Sequence, residues 1–476
     1  MRAPCAWTLP AALLSTLSWA FPACSGDVAR SQHAEATAVA LREPIARARP
    51  GPVSRDHEAP PAPEAAGDAP ADEEPSAGDG PGEGKPLGGA VPIEDARGGA
   101  LSGFHAALGR AERGEGQARI AFYGASHVAS DMFTGLLRQR LQARFGEAGP
   151  GFVLPAKPWR WYRHGGIKIE RSRFFEGARV RARAPKDDRY GLAGVALDAA
   201  ADKYARGLIS TRASGGLEGT ASHFELYYMM QPEGGTFSVF IDGKREKNLR
   251  TKADEMRPAY VEFEVAEGHH SFELRTHGNG PVRVYGVAIE RKRPGVILDT
   301  LGIPGSRARY HLHWDDAVYR EQLARRRPDL VVLAYGTNES GDDDVPIERY
   351  EARLRSVLQR IGEVVPEASC LLVGPSDRPV RGDDGSVERR PRTGQLVESQ
   401  RKLATEMGCG FFDLVEFMGG EMSMLRWIAA KPPLGAPDHV HFTRRGYERL
   451  GEVLYGALMA GYDGDGEAPA ETVARP

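Results

Sequence analysis

The sequence predicts an α/β fold. It has three layers, α/β/α, with a parallel five-stranded sheet in the middle, and an all-β sandwich or jelly-roll domain is inserted into it. Two observations carry that expectation. Apolar runs rich in β-formers alternate with amphipathic helical stretches, the pattern of a doubly wound parallel sheet. After the first of those helices, over 167–293, the apolar period changes from 3.6 to 2, and Gly-containing turns separate short alternating segments.

The chain has 476 residues, with 62 Lys+Arg against 65 Asp+Glu and a formal net charge of −3. That balance speaks against a nucleic-acid clamp, and the length is ample for a sizeable core. No collagen repeat, coiled-coil heptad or series of membrane spans is present. Residues 1–24 read as a signal peptide, because Arg2 precedes an apolar run from Trp7 to Phe21, too short for a bilayer span. The run ends Phe21-Pro-Ala-Cys24-Ser-Gly, which resembles a bacterial lipoprotein cleavage site with Cys24 lipidated. Ordinary cleavage after Ala20 is the alternative, and either reading exports the mature chain to the periplasm, to an outer-membrane anchor or to the medium. Residues 25–96 are Ala, Pro, Glu and Gly with hardly an aromatic, which predicts a disordered tether, as does the acidic tail 463–476.

The ordered part is expected at 97–166 and 294–462, around the insert 167–293. Ala118–Tyr123 reads as the first strand, followed by a turn at Ser126 and a helix with Met132, Phe133, Leu136, Leu137, Leu141 and Phe145 on one stripe. Ser130 or Asp131 would cap that helix. Further strands are expected at Val296–Thr300, Asp329–Tyr335, Cys370–Val373 and Gly410–Asp413. The helix opened by Asp344 and Pro346 buries Tyr350, Leu354, Val357, Leu358 and Ile361, another follows over Thr393–Met407, and the last carries Tyr447, Leu450, Val453, Leu454 and Leu458.

In a parallel sheet the loops after the strand C-termini share one edge, where ligands bind. Ser126, Gly305 and Asn338 follow the first three strands, and Pro437-Asp438-His439-Val440-His441 precedes the last helix. A serine hydroxyl needs an imidazole to take its proton and a carboxylate to orient that imidazole. Ser126, His441 and Asp438 supply those groups. An oxyanion needs preorganised donors, for which the N–H of Ser126, the N–H of Gly305 and the side-chain amide of Asn338 are candidates. No metal or organic cofactor is implied.

These residues resemble the four blocks of the SGNH (GDSL-type) hydrolases. Gly124-Ala-Ser126-His stands at the Gly-Asp-Ser block, Gly302-Ile-Pro-Gly305 at the glycine block, Gly336-Thr-Asn338-Glu at the Gly-x-Asn-Asp block, and Asp438-x-x-His441 at the last. The resemblance implies a flavodoxin-like SGNH fold, catalytic Ser126, Asp438 and His441, and an oxyanion hole from Ser126, Gly305 and Asn338. Ala125 and Glu339 depart from the pattern, each standing where aspartate is usual. An SGNH sheet interrupted by a β-sandwich is similar to the bacterial peptidoglycan O-acetylesterases, whose insert looks like a carbohydrate-binding module. That similarity implies an exported serine esterase acting on acetylated peptidoglycan or another envelope polysaccharide. A glycan O-acetyltransferase and a non-catalytic glycan-binding protein are the alternatives.

Cys370 and Cys409 begin neighbouring strands; buried free thiols are the expectation and a disulfide the alternative. His127 and His439 are expected in structural or substrate-contact roles, since no zinc-type spacing accompanies them. Trp159, Trp161 and Tyr162 read as core or domain-interface packing, and Arg171–Arg183 as a solvated strand face.

Overall fold

The computed structural model describes residues 85–181, 187–382 and 384–464. Cys24, the expected leader, most of the expected tether and nearly all of the tail lie outside the described residues.

Five apolar stretches form the parallel sheet: β1 (Gln117–Gly124), β2 (Gly295–Gly302), β3 (Leu330–Ala334), β4 (Ser369–Val373) and β5 (Gly410–Phe412). Their spatial order is β2-β1-β3-β4-β5, the flavodoxin-like order. Because side chains alternate across a strand, Ile120, Phe122 and Val332 face one helix layer while Ala121, Tyr123 and Leu333 face the other. The first layer holds α1 (Ser102–Glu112), α3 (Phe133–Phe145) and the final helix α9 (Arg444–Gly464). The second holds α4 (Asp316–Arg326), α5 (Ile347–Val364) and α6 (Pro391–Met407). A single turn, α2 (Ser126–Ala129), lies between β1 and α3, and α7 (Leu414–Met418) and α8 (Ser423–Ala429) follow β5. The α5 stripe is buried as its spacing predicts, at Tyr350, Leu354, Val357, Leu358 and Ile361.

Two antiparallel sheets stand between α3 and β2. One contains Arg257–Gly268, Ala221–Met230, Val282–Glu290, Val195–Ala199 and Glu176–Arg179, and the other Ile167–Arg173, Arg206–Thr211, Ser271–Thr276, Thr236–Ile241 and Lys244–Arg250. They pack through Phe224 stacked on Phe272 and Tyr228 edge-on to Phe237. Gly151–Val153, which precedes the expected start of the insert, pairs with Val282–Glu290. Trp159 is buried against Trp161 and Tyr162, and Arg171 and Arg173 are exposed.

The antiparallel part is fastened to the parallel sheet by buried charge. Arg326 at the end of α4 donates twice to Asp299 of β2, at 2.8 Å each, and also to Glu290 of the antiparallel strand Val282–Glu290. Arg119 of β1 donates to both oxygens of Glu290 at 2.9 and 2.7 Å. Burial opposes the Glu290 charge, but Arg326 and Arg119 outweigh it and hold the carboxyl well below its ordinary range.

Three expectations need correction. Asp131 and Ser130 do not cap α3, whose N-cap residue is Met132. Asp131 turns inward instead, accepting from Arg138 at 2.7 Å, Thr300 at 2.7 Å and the Gly165 N–H at 2.6 Å. Burial of a carboxylate demands such partners, and Arg138 on the same helix supplies the cation. Cys370 and Cys409 form a disulfide rather than free thiols. The register explains it, because Leu371 pairs with Gly410, which sets the two preceding cysteines opposite each other. From Lys85 onward the expected tether lies on the body: Glu94 exchanges backbone hydrogen bonds with Phe411 of β5 at 2.8 and 2.9 Å, and Val91 is buried. Leu87, Val91 and Ile93 give this segment the apolar surface that the preceding sequence lacks, and its pairing covers an edge strand.

His127, His164 and His311 are buried, and desolvation pushes each ring down to about 3. They are neutral in the folded protein and take up protons only on unfolding, so their contribution is whole above the ordinary value of 6.5 and is lost as pH falls toward 3. Each removes up to about 1.4 kcal/mol per pH unit across that window. Melting temperature measured by calorimetry should therefore drop steadily between pH 7 and 4.5. A flat profile over that range would contradict neutral burial of these rings.

Candidate active site

The register of the sheet brings the loops level. Gly124 of β1 pairs with Gly302 of β2 on one side and Ala334 of β3 on the other, so Ser126, Gly305 and Asn338 leave the same edge within a few residues of those partners. Gly302 is required here: a Cβ on it would come within 2.2 Å of the Ala129 N of α2, so only glycine lets the α2 turn settle on the end of β2. Ala125, where the resemblance led to an expectation of aspartate, is buried. The turn is held without that carboxylate, by Ala129 N–H to Ala125 O at 2.9 Å, Ser130 N–H to Ser126 O at 3.1 Å and Ser130 Oγ donating to His127 O at 2.7 Å.

The loop before α9 folds back on itself, with Ala436 N–H donating to His441 O at 2.8 Å. Asp438 Oδ1 accepts the N–H groups of Val440 and His441 at 3.0 and 2.9 Å, while Oδ2 lies 2.6 Å from His441 Nδ1. One carboxylate thus both shapes the turn and aims the ring. With the Nδ1 proton given to Asp438, Nε2 is left to accept from the Ser126 hydroxyl, 2.9 Å away. Burial resists ionisation of Asp438, yet the His441 hydrogen bond and the two backbone donors override it and keep the carboxyl well below its ordinary value. Ser126, His441 and Asp438 are therefore brought together in the order hydroxyl, imidazole, carboxylate.

The two expected oxyanion loops are joined to each other. Asn338 Nδ2 donates to Ser306 O at 2.9 Å, which uses one of its two amide hydrogens and ties it beside Gly305. Gly305 is exposed with φ +73°, open space where a Cβ would stand. Glu339 makes the stronger brace. Its buried carboxylate accepts the Ala308 N–H at 2.8 Å and the Gly336 N–H at 3.0 Å, one from each loop. Burial pushes this carboxyl up, and the Ala308 donor pulls it back. Among the described residues, neither the Ser126 N–H nor the Gly305 N–H has a hydrogen-bond partner.

His127 is a structural link rather than a metal ligand. Its Nδ1 is 2.9 Å from Tyr447 Oη of α9, and its Nε2 is 3.4 Å from Ser376 Oγ, which in turn lies 3.1 Å from Thr337 Oγ1. The chain of contacts connects the helix after His441, the turn of Ser126 and the loop of Asn338. His439 has φ +61° and completes its turn through an N–H donated to Ala436 O at 3.3 Å. Among the described residues, His223, Glu262 and Glu264 could offer a metal three ligand atoms. Arg325 and Lys292 already bind those two carboxylates. Ser376, Tyr447 and the bracing role of Glu339 are site features that no residue spacing announced; the departure from aspartate at 339 was the one visible signal.

Residues 267–449 match the model of the GDSL-like lipase/acylhydrolase family. The chain carries a GDSL-like hydrolase domain. The match includes Gly305, Asn338, Asp438 and His441; it begins within the last antiparallel strands, after Ser126 and most of the tract that separates the Ser126 turn from the rest. No curated protein matches the chain. Among solved structures, a peptidoglycan O-acetylesterase is 24% identical, with a TM-score of 0.64, over 78% of this chain and 99% of that one. It shares the fold. A family two carbohydrate esterase from Cellvibrio japonicus matches at 12% identity and TM-score 0.26, over 66% of this chain and 98% of that one. An acetyl xylan esterase matches at 21% and 0.26, over 34% and 80%.

In the GDSL-like domain Glu339 should matter through position. Glu339→Gln turns an NH₂ toward one of the two N–H donors, so one loop loses its anchor. We expect kcat on an acetyl ester to fall roughly tenfold to a hundredfold with KM little changed. Unchanged kcat would contradict the bracing role.

Proposed function

We propose that this chain is an exported serine esterase that removes O-acetyl groups from peptidoglycan or another envelope polysaccharide. The observation that carries the reading is His441 set between Ser126 Oγ at 2.9 Å and Asp438 at 2.6 Å. The shared fold with a peptidoglycan O-acetylesterase supports the substrate class, and the leader ending at Cys24 supports export and membrane attachment.

In the first half-reaction His441 Nε2 takes the Ser126 proton as Oγ bonds to the acetyl carbonyl carbon. The carbonyl oxygen gains charge and is received by the N–H groups of Ser126 and Gly305 and by the Asn338 amide. The bond to the sugar oxygen then breaks, and His441 returns the proton to that oxygen. In the second half, water gives its proton to His441 and its oxygen to the acetyl carbon; the bond to Ser126 Oγ breaks, Oγ regains the proton and acetate leaves. Asp438 stays ionised throughout and stabilises the imidazolium.

The test is the initial rate of 4-nitrophenyl acetate hydrolysis by the full chain beside Ser126→Ala. The variant should lose about a thousandfold or more, to background, with its melting temperature retained. Equal rates would overturn the esterase reading.

A further inference from the structure

The strand-end edge of the parallel sheet carries a cation that the esterase chemistry does not use. Arg378 stands in the loop after β4, on the edge that holds Ser126 and Asn338. Its Nη1 donates to Thr337 O at 3.0 Å, the carbonyl immediately before Asn338. The neighbouring guanidinium groups have carboxylates: Arg307 and Arg309 share Asp342 at 2.6 and 2.9 Å, and Arg390 reaches Asp343 at 3.5 Å. Arg378 is half-buried and has no carboxylate within ion-pair distance among the described residues. Burial, then Arg390 and Arg307, weaken its hold on the proton, and Asp342 and Asp343, which are paired to other arginines, only partly oppose them.

A partly desolvated guanidinium lacking a counter-ion costs free energy unless a ligand supplies one, and its planar fork matches a carboxylate. We propose that Arg378 is the specificity-determining residue for an ester whose carrier bears a carboxylate, which it binds beside the Asn338 loop. The proposal rests on the esterase reading above and deepens it: the preferred acetylated sugar is anionic, where a neutral one such as a plain hexosamine would leave Arg378 unsatisfied. One guanidinium nitrogen on the Thr337 carbonyl fixes the direction of the group and leaves its other N–H donors for the ligand.

Two probes differing in one carboxylate test this on the full chain: 6-O-acetyl-N-acetylmuramic acid, with its lactyl carboxylate, and 6-O-acetyl-N-acetylglucosamine. The unaltered protein should favour the first by roughly tenfold or more in kcat/KM, mostly through KM, and 0.5 M NaCl should narrow the gap. Arg378→Gln should lower kcat/KM on the acidic probe by roughly tenfold more than on the neutral one, chiefly through KM, and Arg378→Lys should restore part of the preference. Equal rates on both probes in the unaltered protein would overturn the proposal alone. So would equal losses on both probes in Arg378→Gln, the mark of a purely structural arginine. Hydrolysis of neither probe, together with no Ser126-dependent 4-nitrophenyl acetate rate, would overturn the esterase reading and the proposal with it.

Discussion

The Arg326 guanidinium between Asp299 and Glu290 is the interaction on which the architecture turns. Asp299 lies on β2, at the edge of the parallel sheet, and Glu290 ends the antiparallel strand Val282–Glu290 that feeds into it. Asp299 also accepts the Phe152 N–H at 2.7 Å, from the strand by which the chain first enters the antiparallel sheet. The entry and exit of the long excursion are thus pinned at one buried point. Removing one partner would leave uncompensated charge in the core, at a cost of about 3–5 kcal/mol. Because β2 must return beside β1 after that excursion, this junction decides whether the loop of Gly305 arrives level with Ser126.

From that alignment the site assembles by short-range bonds. Asp438 shapes its own turn and aims His441; Asn338 reaches Ser306; Glu339 clamps both loops; His127 links Tyr447 to Ser376 and Thr337. Neutral groups carry much of this framework. His127 remains uncharged beside His441, with ring centroids 5.6 Å apart, and its two ring nitrogens face Tyr447 and Ser376 while His441 alone faces the Ser126 hydroxyl. With alanine at 125, the α2 turn is held by main-chain bonds and by the Ser130 hydroxyl.

Much of this was readable in the sequence. The strands of a buried parallel sheet are continuous apolar runs, and the α5 stripe repeats at helical spacing, so both could be placed without partners. Ser126, Asn338, Asp438 and His441 were recognisable because each sits at a strand end or before a helix. What stayed hidden depends on contacts across sequence distance. The Cys370–Cys409 bond follows from the β4–β5 register, which composition does not encode. Asp131 looked like a cap because it stands just before the helix, whereas two of its partners, Thr300 and Gly165, lie far along the chain. The pairing of Glu94 with Phe411 was masked by the Pro- and Gly-rich tract before it, and Arg378 sits in a loop without periodicity.

The central claim is that Ser126 is a nucleophile activated by His441. Intact and peptide mass spectrometry of the full chain after exposure to a fluorophosphonate tests it without assuming a substrate. The account predicts one adduct, on the peptide containing Ser126, and its loss in His441→Ala. Labelling of another residue instead, no labelling of Ser126, or labelling that persists undiminished in His441→Ala would contradict it.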